Sequence, residues 1–190
     1  MIEFLTSNPE LAGAISAIVS IFVATTAVII SGISLWVSLQ SLRIQRKHNI
    51  LSVKPIPEIT VADYEDSLRV KMKNNGNGPM IVKNLEVVGP SGSENSVIAC
   101  MGELPNGRAW THFATDFENR VLMPGQFLPL LELTKSDGEQ GFDLSRNSCR
   151  SWLSKLECCL TYSDIYESKF VPYTKSLKWF GRRISEYKYR

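Results

Sequence analysis

His112 and Asp116 stand four positions apart, a spacing at which an imidazole can take a proton while a carboxylate orients it. They lie in a loop-like segment with no nucleophile motif beside them, so His112 reads as a solvated loop histidine. His48, the other histidine, is isolated. Tyr162, Asp164 and Tyr166 in "TYSDIYES" set phenols beside a carboxylate, but a hairpin turn with aspartate at its corner accounts for them without chemistry. Asn74, Asn75 and Asn77 in "NNGNGP" suit a polar ligand loop; their commoner role is to supply turn conformations, and that reading is preferred. Cys100, Cys149, Cys158 and Cys159 contain no C-x-x-C pair, so no structural zinc site or other metal is expected. Neighbouring side chains of a strand point to opposite faces, and the cysteines read as small core residues. No Walker loop, Rossmann fingerprint, G-x-S-x-G or H-E-x-x-H is present. With no assembled catalytic set the chain does not read as an enzyme, and no cofactor is expected.

The elements that carry these residues begin with an apolar run. From Leu11 to Leu42 there is no charged side chain. At about 1.5 Å of rise per residue, some twenty residues cross a hydrocarbon core, and this run is longer. It predicts one transmembrane helix over about Leu11–Leu39, within a segment 1–42 that includes a short outer N-terminus. A buried helix of a soluble protein is the alternative. A cleaved signal peptide is excluded by the length, the acidic Glu3 and Glu10 and the fact that no A-x-A site closes the run. Lysine and arginine number 21 against 19 acidic residues, so the overall charge points to no nucleic-acid partner. Its distribution is informative: Arg43, Arg46, Lys47 and Lys54 follow the run and no basic residue precedes it. Basic flanks stay cytoplasmic, which predicts a single-pass inner-membrane protein with its N-terminus out and residues 43–190 inside. Four unpaired cysteines suit that reduced compartment.

Small residues recur along the run at Ser16, Ser20, Ala24, Ala27, Ser31, Ser34, Ser38 and Ser41, opposite bulky Ile18, Phe22, Ile29, Ile33 and Trp36. In lipid, small and hydroxylated residues at such spacing let helices approach, which predicts self-association into a homo-oligomer. Serine and alanine are also common in spans, and chance periodicity is the competing account. A basic helical neck and linker, 43–56, ends at "KPIP", since residues before proline leave the helical region.

Beyond the linker the texture turns β-like. Leu68, Val70 and Met72 alternate with Arg69, Lys71 and Lys73, a strand with one wet face. "NNGNGP" reads as the turn into "MIVKNLEVVG", with Gly76 expected at positive φ and a bulge or sheet switch expected near Asn84. "SVIACMGEL", "RVLMPGQFLPLLEL", "LECCLTYSD" and "KFVPYTKS" read as further strands and "SRNSCRSWLSK" as a short helical turn. About seven strands over 57–173 match an antiparallel sandwich. The remainder, 174–190, is a basic aromatic tail in which Lys175, Lys178, Arg182, Arg183, Lys188 and Arg190 mix with Trp179, Phe180, Tyr187 and Tyr189. Such a tail suits an anionic lipid surface, RNA or an acidic protein, and a merely solvated tail is the bland alternative. Arg43, Arg46, Lys47, Lys178, Arg182 and Arg183 are the candidate membrane-surface cations.

The order of strand, "NNGNGP", strand, "LMPGQFLPLLEL" and "CCLTYSDIYESKF" resembles Ig-like β-sandwich modules of bacterial proteins, over residues 57–173. The paired cysteines and core tryptophan spacing of antibody-type domains are missing, and a small β-barrel would give much the same pattern. The plan of a span plus a small cytoplasmic β-domain resembles transmembrane effectors of bacterial phage-defence systems, of the retron or cyclic-nucleotide type. That resemblance implies a domain that senses a protein or nucleotide partner while the helix perturbs the membrane. A passive anchor presenting a binding module, as scaffold or transporter accessory, is the alternative.

Overall fold

The computed structural model describes residues 9–183. The N-terminus expected to be outer and Lys188, Arg190, Tyr187 and Tyr189 lie outside the described residues, as does the side chain of Arg183. The chain divides into two compact units, Met1–Asn49 and Ile50–Arg190.

The first unit is made by a helix, α1, Pro9–Ser52, which is 44 residues and about 66 Å long. Proline is tolerated at its start, and no other proline interrupts it before Pro55. Its mean hydropathy reaches 2.3 and none of its most apolar window is buried. Ser20, Thr25, Thr26 and Ser38 donate their hydroxyls to the carbonyls of Ser16, Ile21, Phe22 and Ser34, each at 2.8 Å. The helix therefore satisfies these polar groups itself, as apolar surroundings require. It is long and apolar enough to cross a bilayer.

The second unit holds two antiparallel sheets. The first has the order β1 (Pro57–Asp63), β2 (Ser67–Asn74), β7 (Phe127–Thr134), β5 (His112–Phe113). The second has the order β4 (Gly92–Glu94), β3 (Met80–Gly89), β8 (Glu157–Ser163), β9 (Tyr173–Ser176), with β6 (Val121–Leu122) also paired to β3. The β2 alternation appears as read: Leu68, Val70 and Met72 are fully buried. So does the interruption in β3, where the register slips between Val82 and Asn84 against β8. A second slip sets Val70 and Lys71 of β2 against Leu131 and Pro129 of β7. The extra residue, Leu130, turns inward together with Leu131.

Several elements differ from the sequence reading. Most of "SRNSCRSWLSK" lies in a 12-residue helix, α2, Phe142–Leu153, so the unit is not all-β. Phe142, Cys149 and Leu153 bury its inner face. "SVIACMGEL" is not a strand: a short 3-10 turn, Ile98–Cys100, interrupts it. The count rises from seven strands to nine among the described residues because β4, β5 and β6 are only two or three residues long. β9 runs on to Ser176, and Leu177 and Phe180 are fully buried, so the core continues past residue 173 into the supposed tail.

Pairing sets which loops share an end. Pro57 opposes Asn74, Lys73 opposes Phe127, Met80 opposes Leu122 and Ile81 opposes Ser163. The linker, the β2–β3 turn, the β6–β7 turn and the β8–β9 loop therefore cluster at one end, the linker end. At the far end Asp63 opposes Leu68, Val88 opposes Glu157, and Glu157 opposes Ser176.

Candidate functional site

On α1 the eight small residues fall within an arc of about 100°, counted at 3.6 residues per turn. All eight are exposed. Ile18, Phe22, Ile29, Ile33 and Trp36 lie about 200–260° round from Ser16, and Arg43, Arg46 and Lys47 about 120–220° round. Arg43 and Lys47 thus lie on or beside the bulky face and Arg46 on the flank between the two faces, which leaves the small-residue stripe free of charge. Two stripe hydroxyls, Ser20 and Ser38, are occupied by backbone carbonyls, so what the stripe offers there is close approach.

The second feature lies where the chain enters its β unit. Asn74 is completely buried and uses its whole amide. Oδ1 accepts from the backbone N–H of Ile56 at 3.2 Å and of Gly76 at 2.9 Å. Nδ2 donates to the carbonyls of Gly78 at 2.7 Å and Leu122 at 3.0 Å. Its backbone also pairs with the β6–β7 turn, accepting from Gly125 N–H at 2.8 Å and donating to Gln126 O at 3.1 Å. One side chain thereby ties the linker, its own turn and a second turn together. Asn75 N–H donates to Ile56 O at 2.8 Å, and its amide meets the Glu58 carboxylate.

Gly76 is not at positive φ, which corrects the sequence expectation. Close approach is what demands glycine. A Cβ on Gly76 would stand 2.4 Å from Lys54 O, and one on Gly78 would stand 1.8 Å from Val53 O. The turn that opens β3 is a socket for the linker, and a polar ligand loop at Asn74 is ruled out by burial.

Elsewhere the candidate residues are spread apart. His112 is exposed on β5 opposite Glu132, whose carboxylate meets Arg69 at 2.9 Å. Asp116 accepts from Glu118 N–H at 3.3 Å within its loop. Asp164 turns the β8–β9 loop, accepting from Tyr166 and Ser168 N–H at 2.9 Å each. Tyr162 stacks on Phe170, with ring centroids 5.2 Å apart. Lys178 and Arg182 belong to a 3-10 turn, Lys178–Arg183, with the Arg182 guanidinium 3.2 Å from the Trp179 ring centre. Leu177 N–H donates to Leu156 O at 2.9 Å, so this cluster sits at the far end, a strand length from the linker.

The four cysteines are free. Burial pushes the Cys149 and Cys158 thiols up to about 12, while burial and then the Glu94 carboxylate raise Cys100, so these three hold neutral thiols, not nucleophilic thiolates. Cys100 lines a far-end cavity of about 350 Å³ with Glu94, Trp152, Leu156 and the Gly89–Gly92 hairpin.

The sequence reading missed an arginine clamp. Arg150 makes a two-pronged ion pair with Asp63, at 2.8 and 3.0 Å, with 3% and 1% of the two side chains exposed. One helical turn earlier, Arg146 donates to the carbonyls of Tyr64 and Glu65 at 2.8 Å each. Two arginines four apart, in phase with Phe142, Cys149 and Leu153, were the available signal; they gather on one helix face only if the whole segment is helical.

No family model matches the chain, and no curated protein is detectably similar to it.

Proposed function

We propose that α1 crosses the inner membrane once, N-terminus out, and that the two sheets pack as an Ig-like β-sandwich in the cytoplasm. The helix self-associates through its small-residue stripe, and the assembly perturbs the membrane when the β unit engages a protein or nucleotide partner. The layout is that of the phage-defence effectors the sequence resembles. One observation carries this reading: on one continuous helix the stripe holds no cation, with Arg43 and Lys47 on the opposite side and Arg46 on the flank. A helix that only anchors has no use for such segregation. In a parallel bundle it keeps Arg43, Arg46 and Lys47 out of the seam, avoids like-charge repulsion there and turns them toward lipid headgroups. Residues of both sheets, including Val70, Leu131, Val87 and Leu160, in one buried cluster support the sandwich.

The test is Ser31→Leu with Ser34→Leu. Leucine adds bulk where backbones must meet yet raises the hydrophobicity of the span, so insertion survives. Overexpression of the wild type is expected to depolarise cells carrying a membrane-potential dye, and the double variant, at equal membrane content, is not. Identical responses would sink the seam. No response from either leaves the passive anchor.

A further inference from the structure

We propose that the linker end of the β unit is a lipid-contacting surface, a reading that rests on α1 being a membrane span. Three loops and the linker meet at this end, and the linker, the β6–β7 turn and the β8–β9 loop present large apolar side chains to solvent. Ile56 is 53% exposed on the linker, Met123 and Phe127 are 49% and 57% exposed about the β6–β7 turn, and Ile165, Tyr166 and Val171 are 52%, 52% and 86% exposed on the β8–β9 loop. They protrude from separate loops, and only Phe127 among them borders the open cavity beside the β6–β7 turn, which suits a fluid apolar layer better than a folded partner. Their backbones are held: Asn74 ties the β6–β7 turn to the linker, Asp164 caps its own loop, and Lys54 Nζ lies 5.8 Å from the centre of the Phe170 ring.

The occupant follows from the chain itself. The linker leaves this end for α1, and thirteen residues of helix, Gln40–Ser52, separate it from the predicted span. Their rise is about 20 Å, and tilt shortens it. The interfacial layer of a bilayer, rich in tyrosine and lysine on the protein side, lies within that reach. Exposed Lys54, Arg120 and Lys169 stand among the apolar residues, as do Glu118 and Glu167, so the net charge is small and apolar insertion dominates. The far end, which carries the cavity beside Trp152 and the Lys178–Arg183 turn, would then point into the cytoplasm.

Spin labels on the full chain in lipid vesicles test this. In a Cys100→Ser, Cys159→Ser background, single labels are placed by Val171→Cys, Met123→Cys, Leu144→Cys and Phe22→Cys, all exposed positions. Collision with oxygen reports lipid, and collision with a water-soluble nickel chelate reports water. The labels at 171 and 123 are expected to lose nickel accessibility about fivefold relative to 144 while gaining oxygen accessibility, in zwitterionic and anionic vesicles alike. Equal nickel accessibility at 171, 123 and 144, with the label at 22 in lipid, overturns this inference and leaves the span intact. A label at 22 open to nickel overturns the span itself. Labels at 171 and 123 shielded from both reagents, with broadening that vanishes on dilution with unlabelled chain, would place a second copy there and overturn the lipid assignment.

Discussion

Replacing Gly78 by alanine puts one methyl group into the linker socket. Its Cβ would lie 1.8 Å from Val53 O, 2.5 Å from the carbonyl carbon and 2.9 Å from the Cα. These are backbone atoms, so no rotamer change relieves the overlap and the linker must move by about 1.5 Å, a normal contact being about 3.5 Å. That shift breaks the bonds from Ile56 N–H to Asn74 Oδ1 and from Asn75 N–H to Ile56 O. Overpacking costs about 1–3 kcal/mol. Two lost hydrogen bonds add about 1 kcal/mol each. The sum is about 3–5 kcal/mol. At about 2–4 °C per kcal/mol for a unit of this size, Tm falls by about 6–20 °C. Near-ultraviolet circular dichroism of the full chain in detergent micelles follows the β unit through its buried aromatics. Gly138→Ala is the control: φ there is +72° and nothing lies within 4 Å of the added carbon, so it reports backbone strain alone. Gly78→Ala melting no lower than Gly138→Ala would refute the socket.

Three further outcomes are expected. Arg150→Met strands the Asp63 carboxylate in the core and lowers stability by about 3–5 kcal/mol, and adding Asp63→Leu recovers most of the loss in denaturant titrations. Unfolded thiols lose their protons near pH 9, whereas Cys149 and Cys158 hold theirs to about 12. The folded state then binds more protons, so the urea midpoint falls as pH rises from about 9 toward 12, and Cys158→Val shallows that slope. A reporter active only in the cytoplasm gives signal when fused after Arg190; silence there with signal from an N-terminal fusion rejects the proposed orientation.

What could be read from residue order was whatever depends on local period. The apolar helix follows from thirty-two residues without charge, and β2 and β8 follow from strict alternation at Leu68–Lys73 and Leu156–Tyr162. The bulge in β3 showed as a phase slip between Val82 and Leu85. Non-local facts were not legible. Arg150 meets Asp63 across eighty-seven positions, and nothing near either residue announces the other. The Gly76 reading failed for a related reason: glycine serves both positive φ and close approach, and only the linker backbone lying against it separates the two. The supposed tail was misjudged because Leu177 and Phe180, fully buried, stand in a stretch of sequence that holds six basic residues.

In the proposed assembly, the width of the stripe on α1 limits how many copies can gather round it. In a closed parallel ring each helix meets two neighbours, and the directions to them diverge as the polygon grows. The divergence is about 60° for three copies, about 90° for four and about 120° for six, by the interior angles of regular rings. An arc of about 100° serves both contacts up to four helices, and a ring of six forces bulky flanking positions such as Val19 and Val28 into the joints. A small-residue ring of three or four also closes tightly, since backbones that approach closely leave little lumen. Any conduction through such a ring would run past the hydroxyls of Ser16, Ser31, Ser34 and Ser41, which makes the copy number and the polarity of the path two readings of one angle.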